Sequence, residues 1–215
     1  MWEMGEIPMP GGWALSMAWL PMCGQTWAGA AASFVGMWAV MMVAMMLPSW
    51  APTLWRGGLA AWAGAGYFFV WAVLGALVFA LGAALAQAVM QMPAVARAVP
   101  VSLGIVVLLA GAYQLTPWKA HHLACCRQAA ARGLAFRADA GAAWRYGVRL
   151  GLHCSHSCAG LTAMLLVMGV MDLRAMAVIT AAITAERLAP AGERVARVVG
   201  AVSVGAGLLL IVRAA

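Results

Sequence analysis

The sequence predicts an all-α protein, a polytopic membrane helix bundle of about six transmembrane helices, and three observations lead there. Hydrophobic residues make up 66% of the 215-residue chain and charged residues only 9%, where a soluble domain carries about 25% charged residues. Uncharged runs recur that approach or exceed the roughly 20 residues a bilayer crossing needs. Basic residues, finally, gather in alternate loops between those runs.

Taken in order, residues 1–26 open with "MWEMGEIPMPGGW", which carries acidic charge where a secretory signal carries basic charge. They are expected to form an extracytoplasmic leader broken by proline and glycine, ahead of a single helix-bundle domain, 27–215. The first span is Trp27 to Trp55, with Pro48 and Pro52 expected to end it because each lacks the amide donor that continues a helix. Gly57 to Ala96, Ala98 to Trp118 and Leu150 to Met171 follow as uncharged runs. Leu173 to Leu188 and Val198 to Val212 are shorter and need neighbouring helices to shelter their ends. Small faces at Gly75 and Gly82, and in the last helix at Ala201 with Gly205 and Ser203 with Gly207, permit close helix contact.

Charge then orients the bundle, because lysine and arginine favour cytoplasmic loops. Arg56 lies in the first loop. Lys119, Arg127, Arg132, Arg137, Arg145 and Arg149 lie in the third, residues 119–149, and Arg187, Arg194 and Arg197 in the fifth. The opposite side receives Arg97, Arg174 and Arg213 with Glu3 and Glu6. Both termini are therefore expected outside, in a bacterial inner membrane. The net charge of +7 is accounted for by this topology beside anionic lipid, so nucleic acid is not an expected partner. Within the third loop Asp139 is placed to cap a helix carrying Arg145 and Arg149 beside Trp144 and Tyr146, which reads as an amphipathic segment lying on the cytoplasmic surface between helices 3 and 4.

Four histidines and four of the five cysteines fall in two short stretches at the same expected membrane face. In "YQLTPWKAHHLACCRQ", Thr116 suits a helix cap and Pro117 the first helical position. A helix starting there brings His121, His122, Cys125 and Cys126 within roughly 140° of its circumference. In "GLHCSHSCAGL", Cys154 and Cys158 are one turn apart, and His153 and His156 project to a neighbouring face. A regular helix spreads those two couples over roughly 200°, too wide for one ion. Either the segment is not helical, or the couples serve different partners, one of them completed by the helix from Thr116. Glu186 belongs to the same layer as a candidate accessory residue, and Arg187 is the simplest partner for its charge.

One histidine or cysteine alone would be packing, since cysteine is a small apolar residue common in cores. Eight in two clusters point to a metal, and soft thiolate and imidazole donors select copper(I) or zinc. A reducing cytosol argues against disulfides. Haem held by imidazoles from two helices is the alternative cofactor, a membrane electron-transfer role its consequence, and a bundle that holds a partner subunit a further reading. A thiol oxidoreductase is weakened by the lack of a Cys-x-x-Cys motif. No phosphate loop or paired catalytic carboxylates mark an enzyme. Besides the bilayer, a metal-receiving membrane protein is the expected partner. Cys23, on the opposite side, is assigned no role.

"MWAVMMVAMMLPSWAP" sets Met37, Met41 and Met45 on one helical stripe and Met42 and Met46 on the next. Thioethers bind copper(I), so these methionines are a candidate metal path toward the Cys/His layer. The competing reading is packing, which methionine also serves in any apolar bundle.

Taken together, "GMWAVMMVAMMLPS", "AGAYQLTPWKAHHLACCR" and "GVMDLRAMAVITAAITAERLAPAG" resemble the bacterial family of predicted metal-binding integral membrane proteins, whose function is unknown. The resemblance runs from about Trp13 to Val199 with three motifs in the same order. It implies ligands at Cys126, Cys154 and Cys158, and at His122, where the family pattern has a cysteine. Another cysteine often found in the family is Ser157 here. Histidine for cysteine keeps a donor, whereas serine loses one. With that pattern, Cys126, Cys154 and Cys158 become the expected sulfur ligands and His122 and His153 the expected nitrogen ligands, with Cys125, His121 and His156 beside them.

Overall fold

A computed structural model describes residues 6–9, 13–21, 24–54, 60–132, 139–169 and 172–214. Glu3, Cys23, Arg56 and Arg137 lie outside the described residues. The described residues form a short hairpin, β1 (Glu6–Met9) with β2 (Trp13–Ser16), a 3-10 turn, and then seven helices: α1 (Trp27–Leu54), α2 (Ala60–Gln91), α3 (Pro93–Gln114), α4 (Pro117–Arg132), α5 (Ala140–Met168), α6 (Leu173–Leu188) and α7 (Gly192–Ala214). Five of them, α1, α2, α3, α5 and α7, contain stretches long and apolar enough to cross a membrane.

The helix boundaries follow from local chemistry. Met92 is extended (φ −125°, ψ 98°) because Pro93 crowds the α region of the residue before it, and the apolar run expected as one span, Gly57 to Ala96, divides there. Thr116 accepts the Lys119 amide at 3.3 Å and starts α4, as its sequence predicts. Asp139 likewise accepts the amides of Gly141 and Ala142. The helix it caps, however, is not a separate surface segment: it continues unbroken through the fourth apolar run to Met168. α1 also differs from expectation, running past Pro48 and Pro52 to Leu54. Each proline forfeits one ladder bond, whereas stopping the helix would free several backbone groups at once.

Packing is close where side chains are absent. α3 lies along α7 and α2 along α5. A Cβ on Gly111 would come within 2.7 Å of the Val204 amide, and one on Gly207 within 2.5 Å of the Leu108 amide. Gly207 and Ser203 thus form the contact face of α7, whereas Gly205 meets open space and Ala201 is exposed. Gly75 and Gly82 receive the indoles of Trp38 and Trp19 respectively. Phe34 stacks between Trp19 and Phe79 at centroid distances of 5.0 and 5.3 Å. Trp38 donates its indole N–H to the Trp71 carbonyl at 3.0 Å.

The hairpin is tied to one end of the bundle by the Trp13 indole, which donates to the Ala96 carbonyl at 3.0 Å. The C-terminal part of α7 reaches the same end, with Ile211 beside Gly104. α6, expected as one of the two shorter spans, has 16 residues, about 24 Å of helix, and is not among the five of spanning length. It nevertheless returns the chain from the far end of α5 to the level of Gln114 and Lys119, where its Glu186 is held. The ends of α3 and α6 and the start of α4 therefore meet in one layer, opposite the hairpin.

Candidate metal centre

That layer contains three groups of side chains. The first is built of sulfur. Cys154 and Cys158, one turn apart on α5, are buried at 0% and 2% exposure. The Cys154 thiol points at the Met46 thioether, 3.9 Å away on α1, and the Tyr67 hydroxyl of α2 lies 2.8 Å from the same sulfur. Arg187 Nη2 donates to Cys154 Sγ at 2.6 Å and to Cys158 Sγ at 3.5 Å. Cys126 approaches from α4, but Ser157 stands between: its hydroxyl is 3.9 Å from Cys126 Sγ and 3.7 Å from Cys158 Sγ. Burial pushes the Cys126 thiol up to about 11, with Arg187 pulling the other way.

The second group is imidazole. α5 is regular here, so His153 and His156 leave on a different face from the cysteines and meet α4. His122 Nδ1 is 2.9 Å from His153 Nδ1, and the His122 ring stacks on His156 at 4.9 Å. Trp118 and His121 pack edge-on against His122 at 5.2 and 5.6 Å. Burial first, then the neighbouring imidazoles, lowers the His122 pKa, which favours the neutral ring that can donate a lone pair. Cys125 turns away from Cys126 toward His121, at 3.8 Å, so the adjacent cysteines do not act as a pair.

The third group is ionic. Glu186 does not pair with Arg187, as expected, but with Lys119, whose Nζ is 2.6 Å from Oε2, while Gln114 donates to Oε1 at 3.0 Å. Both charges are buried, Lys119 at 0% and Glu186 at 2% exposure. Burial lowers the Lys119 pKa and the carboxylate opposes that shift. Neighbours in sequence project about 100° apart on a helix, which is why Glu186 and Arg187 serve different groups.

The methionines of α1 are core residues: Met41, Met42, Met45 and Met46 are buried and Met37 is partly so. The sulfur that reaches a cysteine is that of Met46, on the second stripe. Among the described residues, no three of the His, Cys, Asp and Glu side chains converge as a metal site. A group of soft donors appears once the thioether is counted: Met46 lies 3.9 Å from Cys154, and Cys158 is one turn away on α5. Sequence reasoning missed Tyr67, Lys119 and the role of Arg187. The signal that was available is Arg187, a charge at the end of the run Leu173 to Leu188, where it needs a partner; nothing local marks Lys119, in the polar α4, as buried.

The class the structure defines is a helical bundle with helices of spanning length, in which two buried thiols lie beside a thioether and partly exposed imidazoles gather next to them. The chain belongs to the PpoB2 family, described as copper chaperones, whose family model matches residues 35–210. That assignment supports copper, and it lends nothing to zinc or haem. No curated protein and no solved structure matches the chain.

Proposed function

We propose that this protein is an integral membrane copper(I) chaperone of the bacterial inner membrane, with Cys154 and Cys158 as thiolate ligands and Met46 as the third donor. The observation that carries the reading is the 3.9 Å approach of the Met46 thioether to Cys154, beside a second thiol and under a guanidinium. Copper(I) accepts two or three soft ligands, and thiolate with thioether is such a set. Two thiolates and one copper(I) carry a net charge of −1, which Arg187 balances within a buried site.

The remaining residues take secondary roles in this reading. Cys126 is a nearby thiol to which the ion is passed. His122, His153 and His156, with His121 and Cys125 at their edge, form a separate nitrogen-rich station on the loop side. Met37, Met41 and Met45 line the approach through α1. Glu186 holds α4 in place through Lys119. The layer faces the cytoplasm, with both termini outside, because the basic residues cluster at this end. The recipient is another membrane protein that takes copper(I).

The test is metal analysis of protein purified from membranes under anaerobic conditions. About one equivalent of copper is expected, with loss of most of it in Cys154→Ser and in Cys158→Ser. Equal copper in both variants and the wild type would overturn the assignment.

A further inference from the structure

Beside the layer, between α4 and the turn joining α6 to α7, lies an open groove of about 620 Å³. Arg127, Arg194 and Arg197 line it, and Glu193 is the acidic residue on its wall. Arg127 is fixed there: Nη1 donates to the Glu186 carbonyl at 3.2 Å and Nη2 to the Pro190 carbonyl at 3.3 Å. A Cβ at Gly192 would collide with that guanidinium and with the Glu186 carbonyl, so the glycine is what lets the arginine reach across. A guanidinium has five N–H donors, and these two bonds leave others to face the groove.

Arg194, on the wall of the groove, is also exposed at the start of α7. Arg194, Val198, Val202, Leu209 and Val212 fall at helical spacings of four, four, seven and three, which is one stripe. The apolar members are exposed, Val198 at 63% and Val202 at 68%. An arginine thus heads an apolar stripe on a helix of spanning length. A molecule with an anionic head and a long apolar tail matches that order of charge and hydrocarbon.

We propose that this groove binds the phosphate headgroup of an anionic phospholipid, held by Arg194 and Arg197 above the fixed Arg127, with an acyl chain along the α7 stripe. Basic pockets at the ends of spanning helices take such headgroups. The inference rests on the membrane placement proposed above. Because Arg127 also bonds the backbone of Glu186, next to Arg187 and Lys119, the lipid would brace the wall of the copper layer.

The experiment is native mass spectrometry of the full chain released from mixed micelles holding equal phosphatidylglycerol and phosphatidylcholine. One phosphatidylglycerol should be retained in preference, on the order of tenfold or more. Arg194→Gln/Arg197→Gln should abolish the preference while thermal stability and copper content stay at wild-type values. No preference in the wild type, or an unchanged preference in the double variant, overturns the inference. So does displacement of the lipid by inorganic phosphate as effectively as by glycerophosphoglycerol, which would make this a free-phosphate site. Carbonate washing of membranes reports separately: a chain that washes off refutes the membrane placement itself, whereas one that resists without lipid preference refutes only the lipid site.

Discussion

Arg187 Nη2 lies 2.6 Å from the sulfur of Cys154, so a cation already stands where the proposed copper ligands converge. Two thiolates around copper(I) leave one negative charge in a buried site, and a lone buried charge is costly without a partner. Arg187→Gln is therefore expected to weaken copper(I) binding by at least about tenfold, or about 1.4 kcal/mol, with Arg187→Lys recovering part of it. Competition with a chelator of known copper(I) affinity measures both. Wild-type affinity in Arg187→Gln would mean that the guanidinium serves packing only.

The Lys119–Glu186 pair makes a prediction about stability rather than metal. Removing one member of a buried pair strands the other charge and costs about 3–5 kcal/mol, whereas replacing both by apolar residues is often neutral. Lys119→Met should lower the melting temperature in detergent sharply, and Lys119→Met/Glu186→Leu should recover most of the loss. In the double variant Gln114 loses its acceptor, so recovery should be incomplete. A double variant as unstable as the single one would show that Glu186 has a role beyond holding α4.

How much of this was legible beforehand depends on which physical rule governed each residue. Apolar length and the Thr116 and Asp139 caps are local, and they gave the helices. Pro48 and Pro52 misled, because a proline removes one ladder bond and bends a helix without always ending it, and α1 continues past both. The roughly 200° spread of the 153–158 couples was also local and raised the separation of thiols from imidazoles as one of two outcomes, provided that the segment is helical. Partnerships across elements were not legible: Tyr67 and Cys154 are 87 residues apart, and nothing in either stretch names the other. The ligand set implied by resemblance mixes what the fold separates, since His122 faces His153 and His156 while Cys126 sits behind Ser157.

That separation is testable. If copper(I) is held by Cys154, Cys158 and Met46, then His122→Ala/His153→Ala should leave the copper content of the thiol site unchanged, and X-ray absorption should report sulfur neighbours alone in both proteins. A nitrogen neighbour that disappears in the double variant would place an imidazole on the ion and require α4 to move toward the cysteines.

Ser157 stands between Cys126 and Cys158 and already donates to the Cys154 carbonyl at 2.9 Å. Exchanging its hydroxyl for a thiol adds a soft donor within the existing row of sulfurs at little change in volume. Ser157→Cys is expected to tighten copper(I) binding severalfold, on the scale of a fraction of the ~1.4 kcal/mol that corresponds to tenfold. Unchanged affinity with unchanged stability would show that the row is too widely spaced to share an ion.

Under the proposed function the methionines of α1 divide into a ligand and a path, and leucine separates them, because a methionine-to-leucine exchange in a core usually costs less than about 1.5 kcal/mol. Met46, 3.9 Å from Cys154, is expected to act on affinity: Met46→Leu should release copper(I) to a weaker competitor than the wild type does. Met41 and Met45 are buried on the other stripe, so Met41→Leu/Met45→Leu should leave affinity unchanged and slow loading when copper(I) is supplied from the hairpin side of reconstituted vesicles. Loading from the opposite side should proceed at the wild-type rate in that variant. If both sides load normally, the Met41 and Met45 stripe is packing, and copper enters the layer directly from the face that carries Arg127, Arg194 and the imidazoles.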